Sequence, residues 1–282
     1  NKITEVAPAA DVCCKDAEVI DLSGKFVMPG LIDAHVHINM NGEASMQYAV
    51  TSDATAANNS MIYAQRDLMA GFTTLRDEGA QGYSDVAVRD AINAGKIVGP
   101  RISCSGEAIG GTGGHADSHF LPCVTGKHAF GQIIDGPDAG RKAARTAFKY
   151  GADQIKIMAT GGVMSFGDEP GAPELTYEEM KAIIDVAASK GKITSAHAHG
   201  AEGIKIAVRA AGAVGPGAVD EQGRGGVFPR DIGQNFLHIS SSPLQLLRYP
   251  RLGCGEGRAL PVKPLREPEE VHGKGRQDRL RY

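Results

Sequence analysis

The sequence predicts an α/β fold of repeated strand-then-helix units, an arrangement whose closed form is an eight-stranded parallel barrel. Three observations lead there. Short apolar runs alternate with segments whose apolar residues recur at helical spacing. The helical segments end in glycine, the residue suited to the left-handed position after a helix. The 282 residues, 42% hydrophobic and 22% charged, suffice for one sizeable core, while 37 glycines and the absence of Trp fit a chain of many short turns.

Taken in order, residues 1–30 are expected to be the remnant of a small β element: AEVIDLSG reads as a strand, and KFVMPG, punctuated by Pro29 and Gly30, leads into the next one. The barrel units follow over 31–211. A first strand reaches HVH, and a helix closing at Gly71 precedes the strand FTTLRD, 72–77. A helix with Val88, Ala91 and Ile92 on one face leads to the strand RISCSGEA after Pro100. Ala144, Ala147 and Phe148 mark the next helix, which ends at Gly151 before the strand DQIKIMA. Thr176 with Glu179 three residues on is a capping box, and Met180, Ile183, Ile184 and Ala187 form the buried stripe of the helix it starts. After Gly191 come the strand KITSAH and a helix with Ile204, Ala207, Val208 and Ala211 on one face. Five β/α units are legible.

After Gly212 the pattern fails. The segment AVGPGAVDEQGRGG lacks a β-branched run, and residues 212–282 hold half of the 14 prolines and are mildly basic. FLHI and LQLL are too short to supply the missing units, so this Gly/Pro/Arg-rich tail is expected to be loop, disordered, or read out of frame.

A net charge of −3 argues against a general nucleic-acid binder, and no apolar run approaches the ~18 residues of a membrane span, so a small-molecule substrate is expected. Self-association into a homo-oligomer is left open. The chain begins at Asn1 rather than Met, so its N-terminus is read as incomplete and the compartment as open. Cys13, Cys14, Cys104, Cys123 and Cys254 form no CxxC pair and are odd in number, hence free thiols.

The chemistry concentrates in five histidines and one lysine. His35 and His37, at i and i+2 on a strand, put both imidazoles on one face near the C-terminal end, where barrel enzymes build their sites. Two neutral imidazoles ~2.0 Å from one cation make half of a zinc site; a bare HxH also reads as two surface histidines. Lys156 interrupts the apolar strand QIKIMA. Burial lowers the pKa of an amine and frees it to react with carbon dioxide, giving a carbamate able to bridge two metals; the alternative is a lysine paired with an unseen Asp or snorkelling to the strand end. His197 and His199 repeat the i, i+2 arrangement, with His197 on the regular strand as a ligand to a second metal and His199 as a substrate contact. His115, in the Gly-rich loop GGTGGHAD, is read as polarising a carbonyl or as stabilising its loop.

PGLIDAHVH, GFTTLRD, TGGHAD, ADQIKIMATGG and AHAHGAEGI, in this order, resemble the amidohydrolase superfamily, in the imidazolonepropionase-related branch that contains the metal-dependent Xaa-Pro and Xaa-Arg/Lys dipeptidases. The resemblance covers residues 1 to about 211. It implies a (β/α)8 TIM-like metal-dependent hydrolase barrel, here incomplete. It further implies two divalent ions, zinc expected, held by His35, His37, Lys156 as carbamate and His197, with His115 and His199 contacting substrate. The implied activity is hydrolysis of the peptide bond of a dipeptide or N-acyl amino acid by a metal-bridging hydroxide. The family also supplies a Glu-His dipeptide from the sixth strand and an Asp from the eighth. His238 and His272 lack the preceding Glu and, as read from the sequence, a strand around them. Two other readings therefore stand: a truncated, inactive metal-binding fragment, and a basic tail that serves as an arm for an acidic partner.

Overall fold

The structure, a computed structural model, describes residues 3, 5–8, 18–40, 51–118, 131–165 and 167–212, and the backbone of 237–240. Among the described residues eight parallel strands form two sheets. The first is ordered β1-β2-β3, from Leu31–Val36, Phe72–Asp77 and Arg101–Ser103; the second is ordered β5-β4-β6-β7-β8. Its strands are β4 Ala108–Gly111, β5 Gly131–Ile134, β6 Ile155–Met158, β7 Thr194–His197 and β8 Leu237–Ser240. Among the described residues five α-helices lie between them: α1 Asp53–Met69, α2 Ser84–Asn93, α3 Pro137–Lys149, α4 Tyr177–Ser189 and α5 Ala201–Ala210. The parallel β/α architecture is the expected one. Among the described residues the sheets stay open, with β1 and β8 each paired on one side only.

The expected third strand is split in two. Gly106 sits at φ +65°, a left-handed conformation incompatible with a continuous ladder, and a Cβ there would lie 2.5 Å from the Tyr83 ring. Residues 104–107 thus leave the strand, yet they tie the sheets together. The Cys104 carbonyl accepts from the Asp153 and Gln154 amides just before β6, and the Gly106 carbonyl accepts from Ala80 just after β2.

The helices form where the apolar periodicity placed them. In α4, Thr176 accepts from the Glu179 amide while the Glu179 carboxylate accepts from Thr176, so the capping box is complete. Met180, Ile183, Ile184 and Ala187 are buried against Ala144 and Ala147 of α3, Ile204 and Ala207 of α5, and Ile155, Ile157 and Ala196 of the sheet. Gly140 gives α3 its close approach, since a Cβ there would stand 3.1 Å from Ile183. Full burial of each large side chain stabilises by roughly 1.5–3 kcal/mol, and ten or so of them make this cluster the main anchor of β6 and β7. A second cluster of Ile38, Leu75, Val86, Val88 and Ile102 anchors β1 to β3.

Two expectations are corrected. Residues 18–24, read as a strand, form none, and Val19, Ile20 and Phe26 face solvent; an extended segment without a ladder partner among the described residues leaves its backbone groups to water. Conversely, the cluster around His238 does supply a strand, Leu237–Ser240. Leu-His-Ile-Ser alternates with period two, and four residues suffice at a sheet edge, where only one side needs pairing. His238 thereby has a strand around it, opposite Ser195. The remainder of the 212–282 tail beyond Gly212, His272 included, lies outside the described residues, as do Cys13, Cys14, Cys123 and Cys254; Cys104 is a free, buried thiol. No described helix is long and apolar enough to cross a membrane.

Candidate active site

Parallel strands carry the expected residues to one end. His35 is in β1 and His37 one residue beyond it; Lys156 is in β6; His197 ends β7 and His199 follows two residues later; His115 lies in the loop after β4. The rings meet in two groups. His35 and His37 are edge to face with centroids 5.3 Å apart, His115 stacks on His197 at 4.2 Å, and His197 meets His199 edge to face at 4.5 Å.

The His37 ring is held by a backbone partner and the His115 ring by a loop partner. His37 Nδ1 is 2.9 Å from the Gly79 carbonyl, so it carries the proton and its Nε2 carries the lone pair. Burial, then the charge of Lys156, pushes the pKa of His37 down to about 4. Burial also dominates at His197, followed by His115, Lys156 and His199, and its pKa falls to about 2. Both imidazoles are neutral at pH 7. His197 Nε2 is buried and has no hydrogen-bond partner among the described residues.

Lys156 is 1% exposed inside a strand buried on both faces, as expected. Burial lowers its pKa, and the opposing charge of Glu78 holds it up. The acidic partner foreseen as an unseen Asp is Glu78, directly after β2, whose Oε2 lies 3.4 Å from Nζ. Glu78 also pairs with Arg76 Nε at 2.8 Å, accepts from Gln154 Nε2 at 3.3 Å and accepts from the Ser195 hydroxyl.

His115 is clamped from two directions. Its amide donates to Glu174 Oε2 at 2.9 Å, and Glu174 Oε1 accepts from Gly111 at 2.7 Å. Its ring Nδ1 lies 2.7 Å from Ser165 Oγ, which donates to Asp168 Oδ1 at 2.5 Å. Gly162 lies flat on the ring: a Cβ there would be 2.2 Å from Cε1. Burial raises the pKa of Glu174 to about 7 against these two amide bonds. His199 is positioned by its amide, which donates to Thr160 Oγ1 at 3.0 Å.

Glu78, Ser165, Asp168 and Glu174 were not singled out in the sequence. The run RDE at the end of a predicted strand was a signal for Glu78, because carboxylates at C-terminal strand ends belong to barrel sites. Nothing local marks Glu174, which is 59 residues from the amide it holds.

A divalent ion fits this donor set. His37 and His197 are kept neutral chiefly by burial, and His197 Nε2, buried without a hydrogen-bond partner among the described residues, is a ring nitrogen that a cation would satisfy. Among the described residues no three His, Cys, Asp or Glu side chains are already arranged to hold an ion, and Lys156 is paired with Glu78.

Residues 26–242 match the amidohydrolase family, and the chain belongs to it. Ochratoxinase of Aspergillus niger is 35% identical over 201 residues, covering 65% of this chain and 41% of that protein. A solved Xaa-Pro dipeptidase with methionine in its active site is 36% identical, with a TM-score of 0.60 over 65% of this chain and 46% of that one. A prolidase complexed with N-methylphosphonate-L-proline is 35% identical, with a TM-score of 0.64 over 71% and 50%. The chain thus spans half or less of the length of these relatives.

Proposed function

We propose that this chain carries the metal site of an amide-bond hydrolase acting on a dipeptide or N-acyl amino acid, with His35, His37, Lys156 and His197 as ligands. The observation that carries the proposal is His197 Nε2, buried and without a hydrogen-bond partner among the described residues, on a ring packed between those of His115 and His199. The names of the relatives, a Xaa-Pro dipeptidase and a prolidase, support the substrate class.

Zinc ions at this site would supply Lewis acidity toward the scissile carbonyl and a nucleophilic water at neutral pH. The chain's own residues prepare the site. His37, with its proton on Nδ1 against Gly79, keeps Nε2 as an electron pair, and His197 stays neutral through burial. Lys156 would become a ligand by losing one proton to give the neutral amine, whose nitrogen then forms an N–C bond with carbon dioxide and releases a second proton, leaving a carbamate. That step separates Lys156 from Glu78, which retains Arg76, Gln154 and Ser195 as partners. His115 and His199 contact the substrate from the rim.

A second reading, a metal-binding chain without turnover, is favoured by one observation: Leu31 and Ile32 of the edge strand β1 are 41% and 70% exposed, as on a sheet still open. Assays of the zinc-loaded chain with Xaa-Pro dipeptides and N-acyl amino acids separate the two. Release of the free amino acid, abolished in His37→Ala, establishes the hydrolase. Bound zinc without release establishes the second reading, and no bound zinc overturns both.

A further inference from the structure

We infer that Asp168, acting through Ser165, is a positioning residue that fixes the His115 imidazole with its proton on Nδ1, so that Nε2 presents a lone pair to the substrate. The inference follows from counting hydrogens along three side chains. A carboxylate only accepts, and Ser165 has one hydroxyl hydrogen, directed to Asp168 Oδ1 at 2.5 Å. The ring nitrogen 2.7 Å from Ser165 Oγ must then be the donor, and that nitrogen is Nδ1. Asp168 is held in place by the Gly162 amide, which donates to Oδ2 at 2.8 Å, and its side chain is 5% exposed. Burial works to protonate Asp168, but the bonds from Ser165 and Gly162 outweigh it and keep the carboxylate ionised. The opposite tautomer would leave Nδ1 and Asp168 Oδ1 competing for the one hydroxyl hydrogen of Ser165.

The consequence deepens the proposed function and rests on it. A neutral His115 of this tautomer cannot donate from Nε2 to a carbonyl oxygen, which is what polarising the carbonyl requires. It accepts instead, and in a Xaa-Pro dipeptide, whose scissile amide carries no hydrogen, the group left to donate is the terminal ammonium. The chemistry assigned to this side of the site is therefore a free amino terminus.

Imidazole 15N NMR of the full chain labelled at histidine, without metal, reads the tautomer directly. Wild type and Asp168→Asn, which retains an acceptor for Ser165, should show His115 protonated at Nδ1. Ser165→Ala and Asp168→Ala should shift it toward the Nε2 form preferred by an unconstrained histidine side chain, with unchanged circular dichroism. An Nε2-protonated His115 in the wild type overturns the inference even if the alanine variants fail to fold, and so does an unshifted ring in folded alanine variants. For the ligand, a non-hydrolysable Xaa-Pro analogue with a free amino terminus should bind the zinc-loaded chain at least tenfold tighter than its N-acetylated form. Equal affinities overturn the ammonium assignment. Failure of the hydrolase reading would instead appear as absent zinc or turnover, with the tautomer unmoved.

Discussion

Lys156 Nζ lies 3.4 Å from Glu78 Oε2, and both side chains are almost closed to solvent. Such a pair contributes little net stability, because desolvating two charges offsets their attraction, but removing one partner strands the other. In the metal-free chain Glu78→Ala should therefore cost about 3–5 kcal/mol in urea unfolding. Glu78→Leu combined with Lys156→Met should recover most of that loss. A cost below about 1 kcal/mol for Glu78→Ala would show that the lysine does not depend on this carboxylate.

Glu174 gives a pH signature. Its folded pKa, raised by burial to about 7, exceeds the ordinary value of 4.5, so the folded state binds more protons between those limits. Stability contributed by protonated Glu174 is therefore complete below pH 4.5 and lost as pH rises toward 7. His37, depressed from 6.5 to about 4, acts in the opposite sense and costs stability as pH falls below 6.5. The difference between wild type and Glu174→Gln isolates the carboxyl. Relative to the variant, wild type should lose about 2–3 kcal/mol between pH 4.5 and 7. A pH-independent difference would contradict the burial of this carboxyl.

Gly162 sets how closely the loop after β6 approaches His115. In Gly162→Ala the methyl group would collide with the ring at 2.2 Å, so the imidazole must leave its stack on His197. We expect a loss of about 1–3 kcal/mol, the usual penalty of overpacking, and a displaced His115 in a crystal structure of the variant. An unmoved ring with unchanged stability would mean that the loop yields instead.

Much of this was legible in the sequence because it is local. The capping box of Thr176 and Glu179 and the stripe from Met180 to Ala187 depend on spacings within one or two helical turns, and each formed where the pattern placed it. What was not legible is long-range. Glu78 meets Ser195 across 117 residues and Glu174 meets His115 across 59, and no single-sequence period encodes such pairings. The unpaired segment 18–24 and the strand β8 erred in opposite directions for one reason: a strand is decided by its neighbour more than by its own residues.

Zinc titration of the metal-free chain, followed by calorimetry and thermal unfolding, tests the site most directly. We expect at least one zinc per chain, a raised unfolding temperature, and proton release on binding from Lys156. Binding should be lost or severely weakened in both His37→Ala and His197→Ala, while Ser189→Ala, on the far helix α4, should leave it intact. Wild-type chain that binds no zinc, or His37→Ala and His197→Ala chains that bind it as tightly as wild type, would contradict a metal centre at these histidines.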